Sequence, residues 1–196
     1  ISMNNDISVE KNTNKWVKSI PLFLTVAILV VDQITKWLIT KNIAPYSVGA
    51  SFGGDFLRII YVYNPGAAFS MGHGLSDIPR MLVLGIIPLI VLALVLVVYF
   101  KSNDFTKFQR WAIAGIVGGG LGNLVDRFFR PEGVVDFIDV KFYGIFGLER
   151  WPTFNVADSA ICICSALLII SLIKAMIQDK KLSKEQKKLF EALSKT

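Results

Sequence analysis

The chain has 196 residues, is 53% hydrophobic with mean hydropathy +0.53, and carries a net charge of +6. Apolar content above the about 45–50% of ordinary soluble domains argues against a water-soluble globule, and the length permits one compact bundle as a single domain over 1–196. One histidine and two cysteines, with no Cys/His/Glu ligand spacing, exclude a metalloprotease of the His-Glu-x-x-His type; no metal and no other cofactor is expected.

Four apolar stretches reach the about 20 residues that a membrane-crossing helix needs. They lie near 20–39, 81–100, 111–129 and 156–177. Ile1 and Ser2, ahead of Met3, read as extraneous residues. The N-terminus stays polar to about Ile20, and no small-residue cleavage pattern follows the first stretch. That stretch is therefore expected to be retained and not removed as a signal peptide. Asp32 and Lys36 stand four apart near its far end, on one helix face, and read as a structural ion pair at the membrane boundary.

The segment 45–72 does not carry helical spacing. Leu57, Ile59, Tyr61 and Tyr63 alternate with Arg58, Ile60, Val62 and Asn64, and Gly49, Gly53 and Gly54 supply turns. A small sheet or hairpin outside the bilayer is expected, since open sheet edges do not survive facing lipid. Asn64-Pro65-Gly66-Ala67-Ala68-Phe69 follows as a tight turn that would hold the Asn64 amide near a site. The second stretch is aliphatic throughout, with Pro88 as a candidate kink. The third contains Gly115/Gly119 and Gly118/Gly122, two small-xxx-small pairs that let helices approach closely. Its far end carries a polar stripe of Gly119, Asn123 and Arg127, with Asp126 beside it; Arg127 reads as a donor to a carboxylate or a substrate carbonyl. The loop 130–153 holds Asp136, Asp139, Glu149 and Arg150, and its apolar residues Phe142, Tyr143, Ile145, Phe146 and Leu148 suggest a lid or a surface lying on the membrane. Asn155 is placed to cap the fourth helix, and Asp158 falls in its first turn. Cys162 and Cys164 point to different faces of that helix and read as packing residues.

Lysines and arginines gather before the first stretch (Lys11, Lys15, Lys18), between the second and third (Lys101, Lys107, Arg110) and where the fourth closes and after it (Lys174, Lys180, Lys181, Lys184, Lys187, Lys188). The positive-inside rule assigns these segments to the cytoplasm, with both termini, and leaves 40–80 and 130–153 outside. The basic tail beside a membrane span is explained by topology and anionic lipid, so no nucleic-acid partner is expected. Trp16, Trp37, Trp111 and Trp151 fall near span ends, as interfacial aromatics do.

Asp136 and Asp158 are the costliest residues in this layout, because an ionisable group at membrane depth is a functional-site candidate by default. Asp136 sits in Val134-Val135-Asp136-Phe137-Ile138, where desolvation favours the neutral acid; Asp158 sits where a helix dipole favours the anion. Environments that push two carboxyl groups apart assign acid and base roles, and two carboxylates able to meet suggest a shared proton and an activated water. Asp126 and Asp139 are the rival carboxylates. Two other readings stand beside this one: a proton-coupled transporter using intramembrane carboxylates, and an assembly factor whose polar groups glue helices. The lack of matched broken helices weighs against the transporter.

Five blocks in order resemble those of bacterial lipoprotein signal peptidase, the signal peptidase II family. They are Asp32-Gln33-Ile34-Thr35-Lys36; Asn64 to Phe69; Gly118-Gly119-Gly120-Leu121-Gly122-Asn123-Leu124-Val125-Asp126-Arg127; Val134 to Ile138; and Phe154-Asn155-Val156-Ala157-Asp158. The resemblance covers roughly 20–177. It implies a membrane α-helical fold with four transmembrane helices and an extracytoplasmic β-cradle, in the bacterial inner membrane, with the active site at the outer face. It implies an aspartyl endopeptidase that cuts prolipoproteins on the N-terminal side of a diacylglyceryl-modified cysteine. The catalytic pair maps onto Asp136 and Asp158, the supporting positions onto Asn64, Gly66, Asn123, Arg127 and Asn155, and the structural pair onto Asp32 and Lys36. The stretch 141–152 is longer than the family pattern leads one to expect. Partners are then diacylglyceryl-modified prolipoproteins and membrane lipids, and the expected state is a monomer.

Overall fold

The computed structural model describes residues 15–66 and 77–194. Lys11, His73 and the Ala67-Ala68-Phe69 end of the Asn-Pro-Gly block lie outside them. In chain order the elements are α1 (Lys15–Ser19), α2 (Leu22–Asn42), β1 (Val48–Phe52), β2 (Leu57–Asn64), α3 (Asp77–Met81), a π-helical segment (Leu82–Ile86), α4 (Ile87–Lys101), α5 (Lys107–Phe129), β3 (Val134–Val140) and α6 (Val156–Leu193).

Three helical stretches among the described residues are long and apolar enough to cross a membrane: Trp16–Asn42, Ile78–Lys101 and Val156–Leu193. They wear their hydrophobic side chains outward. Phe23, Val30 and Ile34 of α2, Ile90, Leu94 and Val98 of α4, and Ile163, Ile169 and Ile173 of α6 are all exposed. In water this pattern would be untenable, and in hydrocarbon it is the solvated state. The irregularity of the second stretch precedes its proline. Pro88 has no N–H to give to the preceding turn, and the helix widens to π geometry over Leu82–Ile86.

α5 was expected as a fourth span, but it is less apolar than the other three and falls outside that set. Its environment explains its composition. It runs through the middle of the bundle, packed on α6, α2 and α4, so protein replaces lipid around it. Its glycines meet each neighbour in turn. A Cβ at Gly118 would sit 2.9 Å from the Thr25 carbonyl oxygen of α2, one at Gly120 would press 2.8 Å on Leu92 of α4, and one at Gly119 would fall 2.4 Å from the Ala157 carbonyl oxygen of α6. Backbone cannot yield as a side chain can. Gly119→Ala is therefore expected to cost about 1–3 kcal/mol, the usual range for overpacking, and to move Asp158 with its helix. Thermal unfolding in detergent would read this as a lowered Tm; an unchanged Tm would mean that α5 and α6 are not held this close.

The strands form one antiparallel sheet in the order β1-β2-β3. β2 is the strand that the alternation over Leu57–Asn64 anticipates, and Gly53 and Gly54, both at positive φ, turn the chain from β1 into it. Sequence reading gave no strand at β3. It pairs with β2 in a register that sets Val62 opposite Asp136 and Asn64 opposite Val134. Gly133 starts it at φ +112°, with a Cβ position 2.4 Å from the Asn64 carbonyl oxygen, so only glycine lets the two chains approach there. The sheet's buried face of Tyr61, Val135 and Phe137 rests on Ile39 of α2, on Ile43 just after it and on Val156 of α6. Asp139 is spoken for: Arg58 and Arg150 both bind it, at 2.5 and 2.6 Å, tying the loop after β3 to the β1–β2 turn. In that loop Phe142 packs on Trp151, while Tyr143, Ile145 and Phe146 are exposed.

Candidate active site

The end of the bundle that carries the sheet collects polar groups that no apolar core would tolerate singly. β3 brings Asp136 in from the sheet, and the first turn of α6 brings Asp158 from the helix. The residue that joins them is Asn155. As the N-cap of α6 it accepts from the Asp158 backbone N–H through Oδ1 at 2.9 Å, and its own backbone N–H donates to Asp158 Oδ2 at 3.1 Å, closing a capping box. Its Nδ2 then donates to Asp136 Oδ1 at 2.8 Å. One fully buried asparagine thus fixes a helix start and bonds both carboxylates, Asp136 through its side chain and Asp158 through its backbone N–H.

Each carboxylate has a second amide donor. Asn64 Nδ2, next to Asp136 on the β2–β3 face, donates to its Oδ2 at 3.0 Å. Asn123 Nδ2, from α5, donates to Asp158 Oδ1 at 2.7 Å. Asn123 Oδ1 in turn accepts from Asn155 Nδ2 at 3.0 Å and from Lys36 Nζ at 3.1 Å. Three asparagines therefore orient the two acids from three directions.

The acids differ in surroundings. Asp136 is almost wholly buried, whereas Asp158 is partly exposed. Burial, reinforced by the negative charge of Asp158, pushes the Asp136 carboxyl up to about 7, against the opposing hydrogen bonds from Asn64 and Asn155.

Among the described residues Arg127 binds no carboxylate, one of the two partners that sequence reading offered. Its Nη2 donates to the Gly66 carbonyl oxygen at 2.6 Å, and the Gly66 N–H donates to Asn64 Oδ1 at 3.0 Å. Arg127 thereby steadies the turn that presents Asn64. Asp32 and Lys36 pair at 2.8 Å with neither side chain exposed. Sequence reading missed the third member: Lys36 also contacts Asp126 at 3.0 Å, and Asp126 accepts from Arg130 Nε and the Val135 N–H. Gln33 bridges Asp32, Asp126 and the Gly122 carbonyl. Asp32 accepts the Ala157 N–H at 3.0 Å, so the same cluster reaches the first turn of α6. The available signal was the i, i+4 spacing of Asp126 and Arg130. Among the described residues no group of three or more His, Cys, Asp or Glu is arranged to hold a metal ion.

The family model for signal peptidase (SPase) II matches residues 24–174. A lipoprotein signal peptidase of Treponema pallidum (strain Nichols) is 53% identical over 171 residues, covering 87% of this chain and 89% of that one. One from Treponema denticola is 50% identical, covering 86% and 97%, and one from Borrelia turicatae is 48% identical, covering 76% and 86%. A solved bacterial membrane enzyme, determined by the in meso method at 2.3 Å resolution, superposes with TM-score 0.68 at 32% identity, covering 80% of this chain and 88% of that one. A second, at 1.9 Å, gives 0.66 at 33% identity, covering 79% and 92%. The chain belongs to the signal peptidase II family, and it is a membrane peptidase.

Proposed function

We propose that the chain removes signal peptides from prolipoproteins, on the N-terminal side of a diacylglyceryl-modified cysteine, with Asp136 and Asp158 as the catalytic pair. The observation that carries this reading is the single Asn155 side chain and backbone bonded to both carboxylates at the rim of the bundle.

The chemistry needs one proton on the pair and one water between them. Asp158, ionised, takes a proton from the water as its oxygen attacks the scissile carbonyl carbon. Asp136 gives its proton to the carbonyl oxygen, leaving a neutral tetrahedral diol. Asp158 then protonates the leaving nitrogen, Asp136 recovers a proton from one diol hydroxyl, and the C–N bond breaks. The pair returns to its starting state. The products are a signal-peptide carboxyl group and a free amine on the lipidated cysteine.

α5, at 23 residues and roughly 34 Å, is the fourth crossing helix in this reading, screened from lipid by the other three. The lysine-rich ends lie in the cytoplasm of a bacterial inner membrane, and the sheet, the loop after β3 and the acids lie outside. A lipid-anchored substrate reaches the acids sideways from the bilayer. The transporter reading gains no support: the described core cluster is Leu92, Ile113, Val117 and Leu124 with one tyrosine, Tyr99, and holds no chain of ionisable groups.

Incubation with a synthetic diacylated prolipoprotein peptide, followed by mass spectrometry, tests the reaction. A cut at any bond other than the one before the lipidated cysteine, or no cut, would overturn it. The same assay reads pH. Asp136 holds its proton below about 7 and loses it above, so kcat/KM falls about tenfold per unit on the alkaline side of 7. Stability follows the same group. A carboxyl raised from 3.8 to about 7 on folding binds its proton more tightly in the native state. Its contribution is complete below pH about 4 and is lost as pH rises through about 7.

A further inference from the structure

At the same end of the bundle, beside the acids but apart from them, three arginines line one cavity. Arg80 comes from α3, and Arg127 and Arg130 from the end of α5; the cavity holds about 270 Å³, with Met81, Leu84 and Pro131 also in its wall. The mechanism above has no use for three cations there: the scissile bond is neutral, and the pair already holds one proton.

Depth gives the cavity its meaning. Arg80 lies two residues into the apolar stretch Ile78–Lys101, and Arg130 directly follows α5, so in the membrane placement proposed above both residues fall near the level of the headgroup layer. Met81 is the next residue after Arg80, and Leu84 lies one turn further along the same apolar stretch, toward acyl-chain level in that placement. Cations at headgroup depth above an apolar wall match an anionic phospholipid: phosphate above, chain below. Each of the three arginines, Arg80 included, already has partners within the protein, and a guanidinium can engage more than one group. Asp126 engages Arg130 through Nε, and Gly66 engages Arg127 through one Nη. A guanidinium has five donors in a planar fork, suited to phosphate.

We propose that this cavity binds the headgroup phosphate of an anionic phospholipid, with Arg80 as the residue that selects it. The idea does not depend on the peptidase reading, since its readout is lipid and not cleavage.

The test takes the full chain reconstituted with an equimolar mixture of phosphatidylglycerol and phosphatidylcholine, extracted gently and weighed by native mass spectrometry. The wild type is expected to retain phosphatidylglycerol preferentially. Arg80→Gln is expected to weaken that preference about tenfold, as befits loss of a charge-assisted contact, and Arg80→Lys to restore part of it. An unchanged preference in Arg80→Gln, with a Tm like that of the wild type, would overturn the proposal. If Arg80→Gln does not fold, photocrosslinking on the wild type decides. A phosphatidylglycerol probe should label residues 78–86 and 127–133 several-fold more than a phosphatidylcholine probe does. Equal labelling, or labelling confined to the lysines of the α6 tail, would sink the idea. Displacement of the bound lipid by millimolar inorganic phosphate would mark a free-phosphate site and overturn the lipid assignment.

Discussion

Asp136→Asn and Asp158→Asn are each expected to lower turnover of a diacylated precursor by about 10³-fold or more, since each removes a positioned acid or base worth about 10²–10⁴. Neither should unfold the protein. Asn at 136 keeps the shape of the neutral acid and sheds the desolvation that raises the acid's pKa. It places one amide nitrogen against the Asn64 donor and so costs that one hydrogen bond, about 1 kcal/mol. Asn at 158 loses part of a capping box, about 1 kcal/mol. The Asp136→Asn protein should also lose the pH slope of stability between about 4 and 7, because that slope comes from the carboxyl it lacks. Near-normal turnover in either variant, measured by mass spectrometry on protein that melts normally, would refute the pair. Asp139→Asn supplies the contrast. Its carboxylate is locked between Arg58 and Arg150, so it should lose stability while the cleavage position stays the same.

Much of this site could be read from the chain because its parts obey local rules. Asn155 and Asp158 sit three apart at a helix start, and a capping box is a property of that spacing alone. β2 declared itself by strict alternation over Leu57–Asn64. β3 did not, because it is buried on both faces: Val134-Val135-Asp136-Phe137 shows no alternation to read. α5 was legible as a helix but not as the enclosed one, since periodicity does not say whether lipid or protein covers a face. Asp126 stayed obscure for another reason. Its partners Lys36, Gln33 and Val135 come from α2 and β3, brought to it only by the folded bundle. The clamp on Asp139 likewise joins Arg58 to a carboxylate 81 residues away. Long-range charge pairing leaves no trace in spacing.

That hidden cluster is where the second large effect is expected. Lys36 Nζ touches Asp32 at 2.8 Å, Asp126 at 3.0 Å and Asn123 at 3.1 Å, and none of the three charged groups is exposed. With Arg130 on Asp126, two cations balance two anions. Lys36→Met removes one cation and leaves a net buried negative charge that nothing nearby neutralises. Breaking a buried pair in this way costs about 3–5 kcal/mol, a large share of a typical folding free energy of about 5–15. The damage should also travel. Asp32 holds the Ala157 N–H at the start of α6, and Asn123 holds Asp158, so what protein does fold should cleave poorly. Lys36→Arg is expected to fail as well, because a planar fork does not fit a closed site shaped for a compact ammonium. Lys36→Met combined with Asp32→Asn restores the balance of charge. It should recover a substantial part of the lost Tm without recovering full activity, since Asn123 still lacks the Lys36 donor and keeps only that of Asn155. A double variant no more stable than Lys36→Met alone would show that packing, and not charge balance, holds this end of the bundle together.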